Sequence, residues 1–338
     1  MKAAIFKAVG QPLEIESIPD PTPGEGEIVV KVGRCGICGT DLHMTDGHGY
    51  TYPIGTIPGH EFAGEVVAIG KGVDSLKVGD RVASLPMTGC GKCVACVEGV
   101  PFFCANGMRG LPGAFAQYAL ATESESVKLP SSLSLADGAL VEPLAVGLHG
   151  VALAQMDPGA RVLVLGAGPI GLATAYWARR LGAGKIAVSA SSTRRAELAM
   201  IMGADSFLDP QEELAAASIA ALGGAPDIVF ECVGVPGLIA KAVDAVRPRG
   251  TVVVLGCCSS PDTFTPAAAL FKEVRLQFSN TYSVQQFEHV ARTLDAGHVE
   301  PRSMITDTVS LQQVPDVFEA LRQRTSQCKV MIDPWAHA

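Results

Sequence analysis

Arg161-Val162-Leu163-Val164-Leu165-Gly166-Ala167-Gly168-Pro169-Ile170-Gly171 is the stretch that decides the fold. A continuous apolar strand runs into three glycines spaced G-x-G-x-x-G, and the chain from Ile170 to Arg180 continues with the spacing of a helix. In such a turn Gly166 makes the bend, Gly168 lets the backbone approach a pyrophosphate, and Gly171 lets helix and strand pack closely, with Pro169 and Ile170 opening the helix. Six residues of this pattern arise easily by chance. Set between a strand and a helix in an alternating region, they point to a dinucleotide site. Ile186-Ala187-Val188, Asp227-Ile228-Val229-Phe230 and Thr251-Val252-Val253-Val254-Leu255 read as further buried strands with helical segments between them. That alternation predicts an α/β fold, a doubly wound parallel sheet of Rossmann type.

The residue ending the second strand of such a sheet selects the cofactor, because an acid there takes the ribose hydroxyls and repels a 2′-phosphate. Here the strand end reads Val188-Ser189-Ala190-Ser191-Ser192-Thr193-Arg194-Arg195, with no acid. Ala190, Ser191 and Ser192 followed by the guanidinium groups of Arg194 and Arg195 suit a 2′-phosphate, so NADP is favoured with NAD still open. The competing reading makes the two arginines solvated residues on the first turn of the next helix.

Upstream the pattern differs. Ile28-Val29-Val30-Lys31-Val32, Gly64 to Ile69 and Ala114 to Ala119 are short strands broken by Gly and Pro, which predicts a β-rich, partly barrel-like domain. Its character changes at Ser134-Leu135-Ala136-Asp137, which opens a helical run through Glu142-Pro143 to Leu153. After Ser283 come a helix near Phe287 to Ala296, a short strand near Ile305, a helix near Val314 to Arg322 and a last strand, Lys329-Val330-Met331-Ile332. Periodicity alone leaves open whether these extend the sheet domain or return to the first.

With 338 residues and 48% hydrophobic content, the chain has material for two cored domains. Its formal charge of -8 and lack of a basic run argue against nucleic acid. No stretch approaches the roughly 18 uncharged apolar residues of a membrane helix, and Met1-Lys2-Ala3-Ala4-Ile5-Phe6 lacks the features of a signal peptide. A cytoplasmic protein acting on a small molecule is the expectation.

Ten cysteines in a chain of this size point to metal thiolates before disulfides. Cys90, Cys93, Cys96 and Cys104 offer four thiolates within one loop, enough to close a tetrahedral zinc shell and serve as a structural clamp. Cys38, His60 and Glu61, with Glu142 as a further candidate, form the mixed sulfur, nitrogen and oxygen set that keeps a coordination position open for chemistry. Cys35, Cys232, Cys257, Cys258 and Cys328 read as small buried hydrophobes.

Cys35-Gly36-Ile37-Cys38-Gly39-Thr40-Asp41-Leu42-His43, Gly59-His60-Glu61, the four-cysteine lobe and the glycine turn follow one another in an order and spacing that resembles the zinc-dependent medium-chain alcohol dehydrogenases over nearly the whole chain. Val141-Glu142-Pro143-Leu144 is similar to the Glu-Pro-Leu segment of the polyol and butanediol branch, where other members carry a cysteine ligand. The resemblance implies a GroES-like catalytic domain over residues 1–150 with a structural zinc lobe at about 88–106, a cofactor domain over 151–283, and a segment 284–338 that returns to complete the catalytic domain. It implies two zinc ions per chain, with Cys38 and His60 as direct ligands and Glu61 and Glu142 as carboxylates that bind the catalytic ion in turn. Thr40 matches the hydroxyl that receives the alcohol proton and His43 the outer end of a proton relay. Asp41 reads as a residue that orders the loop or the ligands. The segment Phe278-Ser279-Asn280-Thr281-Tyr282, expected at the sheet edge, resembles the sorbitol-type branch, but Gln277 stands where that branch carries a polyol-binding arginine.

The implied activity is an NADP-preferring dehydrogenase or carbonyl reductase acting on a secondary alcohol, diol or matching ketone, assembled as a dimer or tetramer. Alternatives are an NAD-dependent polyol, sugar or threonine-type dehydrogenase and, from another class, a non-catalytic cofactor-binding protein. Retention of Cys38, His60, Glu61, Thr40 and His43 together argues against the last.

Overall fold

A computed structural model describes residues 1–323 and 326–337. The chain divides into one unit of Met1–Ala145 with Tyr282–Ala338 and a second of Val146–Thr281.

The second unit holds a six-stranded, all-parallel sheet in the spatial order Ser206–Leu208, Lys185–Ser189, Arg161–Leu165, Ile228–Glu231, Thr251–Val254, Arg275–Phe278. Counted along the chain this is 3-2-1-4-5-6, the doubly wound order, whose direction reverses between Arg161–Leu165 and Ile228–Glu231. Val162, Leu163, Val164, Val229 and Val252 are fully buried, as strands covered on both faces must be. Two strands carry too weak a pattern to be read from sequence: Ser206–Leu208 has three residues, and Arg275–Phe278 is an edge of alternating polarity. The expected edge segment from Phe278 to Tyr282 is corrected: the strand ends at Phe278, and Thr281 sits at φ 59°, outside extended geometry.

The first unit is built on a seven-stranded, mainly antiparallel sheet running Ile305–Ser310, Lys329–Asp333, Glu27–Gly36, Glu61–Ile69, Arg81–Ser84, Ser126–Lys128, with Tyr118–Thr122 also paired to Glu27–Gly36. Its core gathers Phe6, Phe62, Phe115, Ile28 and Phe318. The tail returns here, since Lys329–Asp333 pairs antiparallel with the end of Glu27–Gly36 (Met331 opposite Gly36, Ile332 opposite Cys35). The Leu135–Ala154 helix starts where Ser134 and Asp137 cap each other, with Asp137 Oδ2 accepting the Ser134 N–H at 2.8 Å and Ser134 Oγ accepting the Asp137 N–H at 3.1 Å. Despite Asp137 and Glu142 it is long and apolar enough in composition to cross a membrane, which the sequence reading missed; most of it is buried in the fold. Of the five spare cysteines Cys35 is buried as expected, while the reading is corrected for the other four: Cys257 is exposed, and Cys232, Cys258 and Cys328 are half-buried.

Candidate metal and dinucleotide sites

The Glu27–Gly36 strand delivers the chain through Ile37 to Cys38, which caps the short Gly39–His43 helix in an extended conformation (φ -101°, ψ 150°). Cys38 Sγ accepts the Thr40 N–H at 3.4 Å, and the Cys38 N–H donates to Asp41 Oδ2 at 3.1 Å. His60 enters from Gly59, which sits at φ 99° with the Phe115 ring where a Cβ would stand, so only glycine fits.

Asp41 organises both segments. It is fully buried, and its Oδ1 accepts from the Tyr52 hydroxyl at 3.1 Å and the Gly59 N–H at 3.2 Å and lies 3.4 Å from His60 Nδ1. Burial raises its carboxyl, but His60 and the N–H donors of Cys38 and Gly59 outweigh that and hold it below the ordinary value. With Nδ1 turned to Asp41, His60 has Nε2 left for a metal. Ligand atoms of Cys38, His60 and Glu61 lie within 4.8 Å of one another.

Glu61 carries a partner that sequence reasoning missed. Both its oxygens accept from Lys329 Nζ at 2.6 Å, and the same ammonium donates to the Ile37 carbonyl at 3.1 Å. Each side chain is 1% exposed. Burial alone would lower the Lys329 ammonium, but Glu61 and the Cys38 sulfur push it up. The signal was a lysine inside the apolar run Lys329-Val330-Met331-Ile332.

Glu142 stands outside the mutual cluster of Cys38, His60 and Glu61. It is 7% exposed and accepts from the Tyr282 hydroxyl at 2.9 Å, the Tyr282 ring being stacked on Phe287 at 5.4 Å between centroids. Burial, opposed by His60, pushes Glu142 up to about 7. Thr40 and His43 are exposed and lie three residues apart on their helix, which puts them on one face. The His43 side chain is 65% exposed, with Nδ1 3.5 Å from Asp46 Oδ2.

The four lobe cysteines also converge. Sγ separations are 3.5 Å for Cys93 to Cys96 and 4.0 Å for both Cys90 to Cys96 and Cys93 to Cys104. An ion with four sulfurs at about 2.3 Å sets them about 3.8 Å apart, so the set fits zinc. The N–H groups of Lys92 and Cys93 lower Cys90 to about 6, and burial followed by Cys93 raises Cys96 to about 12.

In the second unit Gly166 turns at φ 109°, where a Cβ would meet Val233 at 2.8 Å, and Gly171 packs against the Gly166 carbonyl. Space in front of Gly168 is open, as a backbone that receives a phosphate requires. Helix Pro169–Arg180 begins at Gly168, with Pro169 at its first position and Ile170 next. Ala190, Ser191 and Ser192 follow the Lys185–Ser189 strand. Arg194 Nε donates to Ser192 Oγ at 3.2 Å, and Arg195 Nη1 reaches the Ala167 carbonyl in the glycine turn at 3.3 Å.

Residues 24–131 match the family described as alcohol dehydrogenase GroES-like domain, and residues 169–296 match the zinc-binding dehydrogenase family. The chain is 34% identical over 351 residues to the sorbitol dehydrogenase of Bacillus subtilis (strain 168), spanning 99% of this chain and 97% of that one. Among solved structures, 2R,3R-butanediol dehydrogenase from Bacillus subtilis superposes with a TM-score of 0.87 at 30% identity, over 98% of this chain and 99% of that one. A zinc-binding dehydrogenase from Sinorhizobium meliloti 1021, solved bound to NADP, superposes with a TM-score of 0.89 at 33% identity, over 98% and 99%. A GroES-like unit, a doubly wound sheet and full-length likeness agree: the chain belongs to the zinc-dependent medium-chain alcohol dehydrogenases, in their sorbitol and butanediol dehydrogenase branch, and is an oxidoreductase acting on CH–OH groups of small molecules.

Proposed function

We propose that this enzyme interconverts a secondary alcohol or diol and its ketone with NADP(H) as the preferred cofactor. The observation that carries the cofactor half is the strand end at Ala190, with no acid and with Arg195 reaching back to the glycine turn. A 2′-phosphate there meets the Ser191 and Ser192 hydroxyls and two guanidinium groups. The substrate half rests on Cys38, His60 and Glu61, whose ligand atoms lie within 4.8 Å of one another, as the set that holds a catalytic zinc. Glu142, outside that cluster, stays in reserve, since a thiolate with two bound carboxylates would overcompensate the ion. Cys90, Cys93, Cys96 and Cys104 hold the second, structural zinc.

When bound, zinc polarises the alcohol or carbonyl oxygen as a Lewis acid while the nicotinamide takes or gives the hydride. This chain's residues handle the proton. The Thr40 hydroxyl would accept it from the alcohol while releasing its own along the relay towards His43, whose exposed ring would take up that proton and give one to water. Asp41 fixes the His60 ring and the start of the Thr40 helix together. The Gln277 amide is spent on the Phe278 carbonyl at 2.7 Å, which supports a short alcohol or diol over a long polyol. Likeness to sorbitol dehydrogenase supports a polyol as the alternative substrate, and likeness to a dehydrogenase solved with NADH supports NAD as the alternative cofactor.

The edge strand Arg275–Phe278, with Phe278 exposed and Phe271 85% exposed nearby in sequence, supports a homo-oligomer. Ten unbridged cysteines support a reducing, cytoplasmic setting. The test is kcat/KM with NADP and with NAD, for the wild type and for Ala190→Asp combined with Arg195→Leu. NADP should lead by at least tenfold in the wild type and lose that lead in the double variant, each charge-assisted contact contributing roughly 1.5–3 kcal/mol. A wild type that prefers NAD tenfold overturns the reading.

A further inference from the structure

The helix that carries Thr40 and His43 has five residues, Gly39–His43, and so cannot hold its own orientation by helix formation alone. Its start is tied down by Cys38 and Asp41. Its end depends on a residue 280 positions away: Arg322 Nη1 donates to the Leu42 carbonyl at 2.9 Å, and Nη2 donates to Thr45 Oγ1 at 2.8 Å. The Thr45 hydroxyl in turn faces the Asp41 carbonyl at 3.0 Å and the Leu42 carbonyl at 2.9 Å. Its single hydrogen serves those carbonyls, so its lone pair is what Arg322 meets.

The guanidinium is itself aimed. Glu319 Oε2 accepts from Arg322 Nε at 2.8 Å, and the group lies 5.3 Å from the centroid of the buried Phe318 ring. Phe318 meets Phe115 edge-on at 6.2 Å between centroids, and Phe115 is the ring that occupies the space left by the missing Gly59 side chain beside His60. One anchoring point thus touches both segments of the site: the Cys38 to His43 helix through hydrogen bonds, and the Gly59-His60 corner through two packed rings. A cation on the last carbonyls also complements the helix dipole.

We propose that Arg322 is a positioning residue for proton transfer, holding the Gly39–His43 helix so that Thr40 and His43 stand where the substrate's proton is released. This rests on the reading of Thr40 and His43 as a relay. Arg322 directs its donors to Glu319, Leu42 and Thr45, so its removal should leave binding intact and misplace the relay. A displacement of about 1 Å can cost on the order of 10²-fold in rate.

The experiment compares wild type, Arg322→Met and Thr45→Val in the zinc-loaded enzyme, the last removing the receiving hydroxyl while leaving Arg322 in place. Expected are unchanged zinc content and NADP affinity, an unchanged KM, and a kcat reduced tenfold or more. Millimolar methylguanidinium should partly restore turnover in Arg322→Met. Backbone amides of Met44 and Thr45 should exchange with deuterium at least tenfold faster than in the wild type, while those of Val30 and Val66 are unchanged. Should Arg322→Met not fold, Thr45→Val carries the same comparison. A kcat within twofold of wild type, or exchange at Met44 and Thr45 no faster, overturns the clamp. If Thr40→Ala turns over like wild type, the relay reading fails, and the exchange measurement still decides whether Arg322 holds the helix.

Discussion

The Lys329 and Glu61 pair shows how a single residue sets the character of the site. Two charges that are each 1% exposed carry a large desolvation penalty, offset here because the ammonium is shared by both carboxylate oxygens and the Ile37 carbonyl. Removing one partner is then worse than removing both. Lys329→Met should destabilise the protein by roughly 3–5 kcal/mol, and Lys329→Met with Glu61→Gln should recover most of that, as read from urea midpoints. A single variant as stable as the wild type would show that the pair contributes nothing. At this scale the sequence was legible where partners are close along the chain, as in Cys38 with Asp41 or the cysteines of the lobe. It was silent where they are not: Lys329 lies 268 positions from Glu61, and Tyr282 lies 140 from Glu142. No local pattern encodes such a meeting.

Among the elements, the two central strands of the parallel sheet are pinned at their starts by Asp227. Its Oδ2 accepts the Arg161 N–H at 2.8 Å and the Arg161 Nε at 3.1 Å, and its Oδ1 accepts from Arg247 Nε. Burial raises the Asp227 carboxyl, but the two arginines and the Arg161 N–H lower it to about 2. A carboxyl depressed in the folded state adds stability above its unfolded value of about 3.9 and loses it as pH falls through the folded one. Asp227→Asn should therefore cost about 2 kcal/mol near neutrality, with the two proteins converging between about pH 4 and pH 2. Thermal melts over that range test it; a difference independent of pH would count against the pairing. The strands were legible wherever both faces are covered, because burial leaves continuous apolar runs such as Val162 to Leu165. Edges escaped, since a half-covered strand such as Arg275–Phe278 alternates and is short enough to pass for loop.

For the whole molecule the two zinc sites should have separable roles. Metal analysis should find two zinc ions per wild-type chain. Cys38→Ser should keep about one with the melting temperature little changed and turnover lost, whereas Cys104→Ser should keep about one and melt roughly 10 °C lower. Equal melting temperatures for the two variants would remove the distinction between catalytic and structural ions. The domain plan was only partly legible. Periodicity found the helix and strands after Ser283 but could not say which sheet receives them, because strand pairing is set by partners hundreds of residues away; only the resemblance to a family implied a return, and in the sheet Met331 lies opposite Gly36.

That pairing has a consequence for the order in which the protein is made. A ribosome releases residues 146–281, a unit whose strands find all their partners within themselves, before the strand Lys329–Asp333 exists. Until that strand emerges, the first sheet lacks a member and Glu61 lacks its ammonium. The inserted unit can mature while the flanking one waits, so the carboxylate beside His60 gains its counter-charge only after 268 further residues have been made.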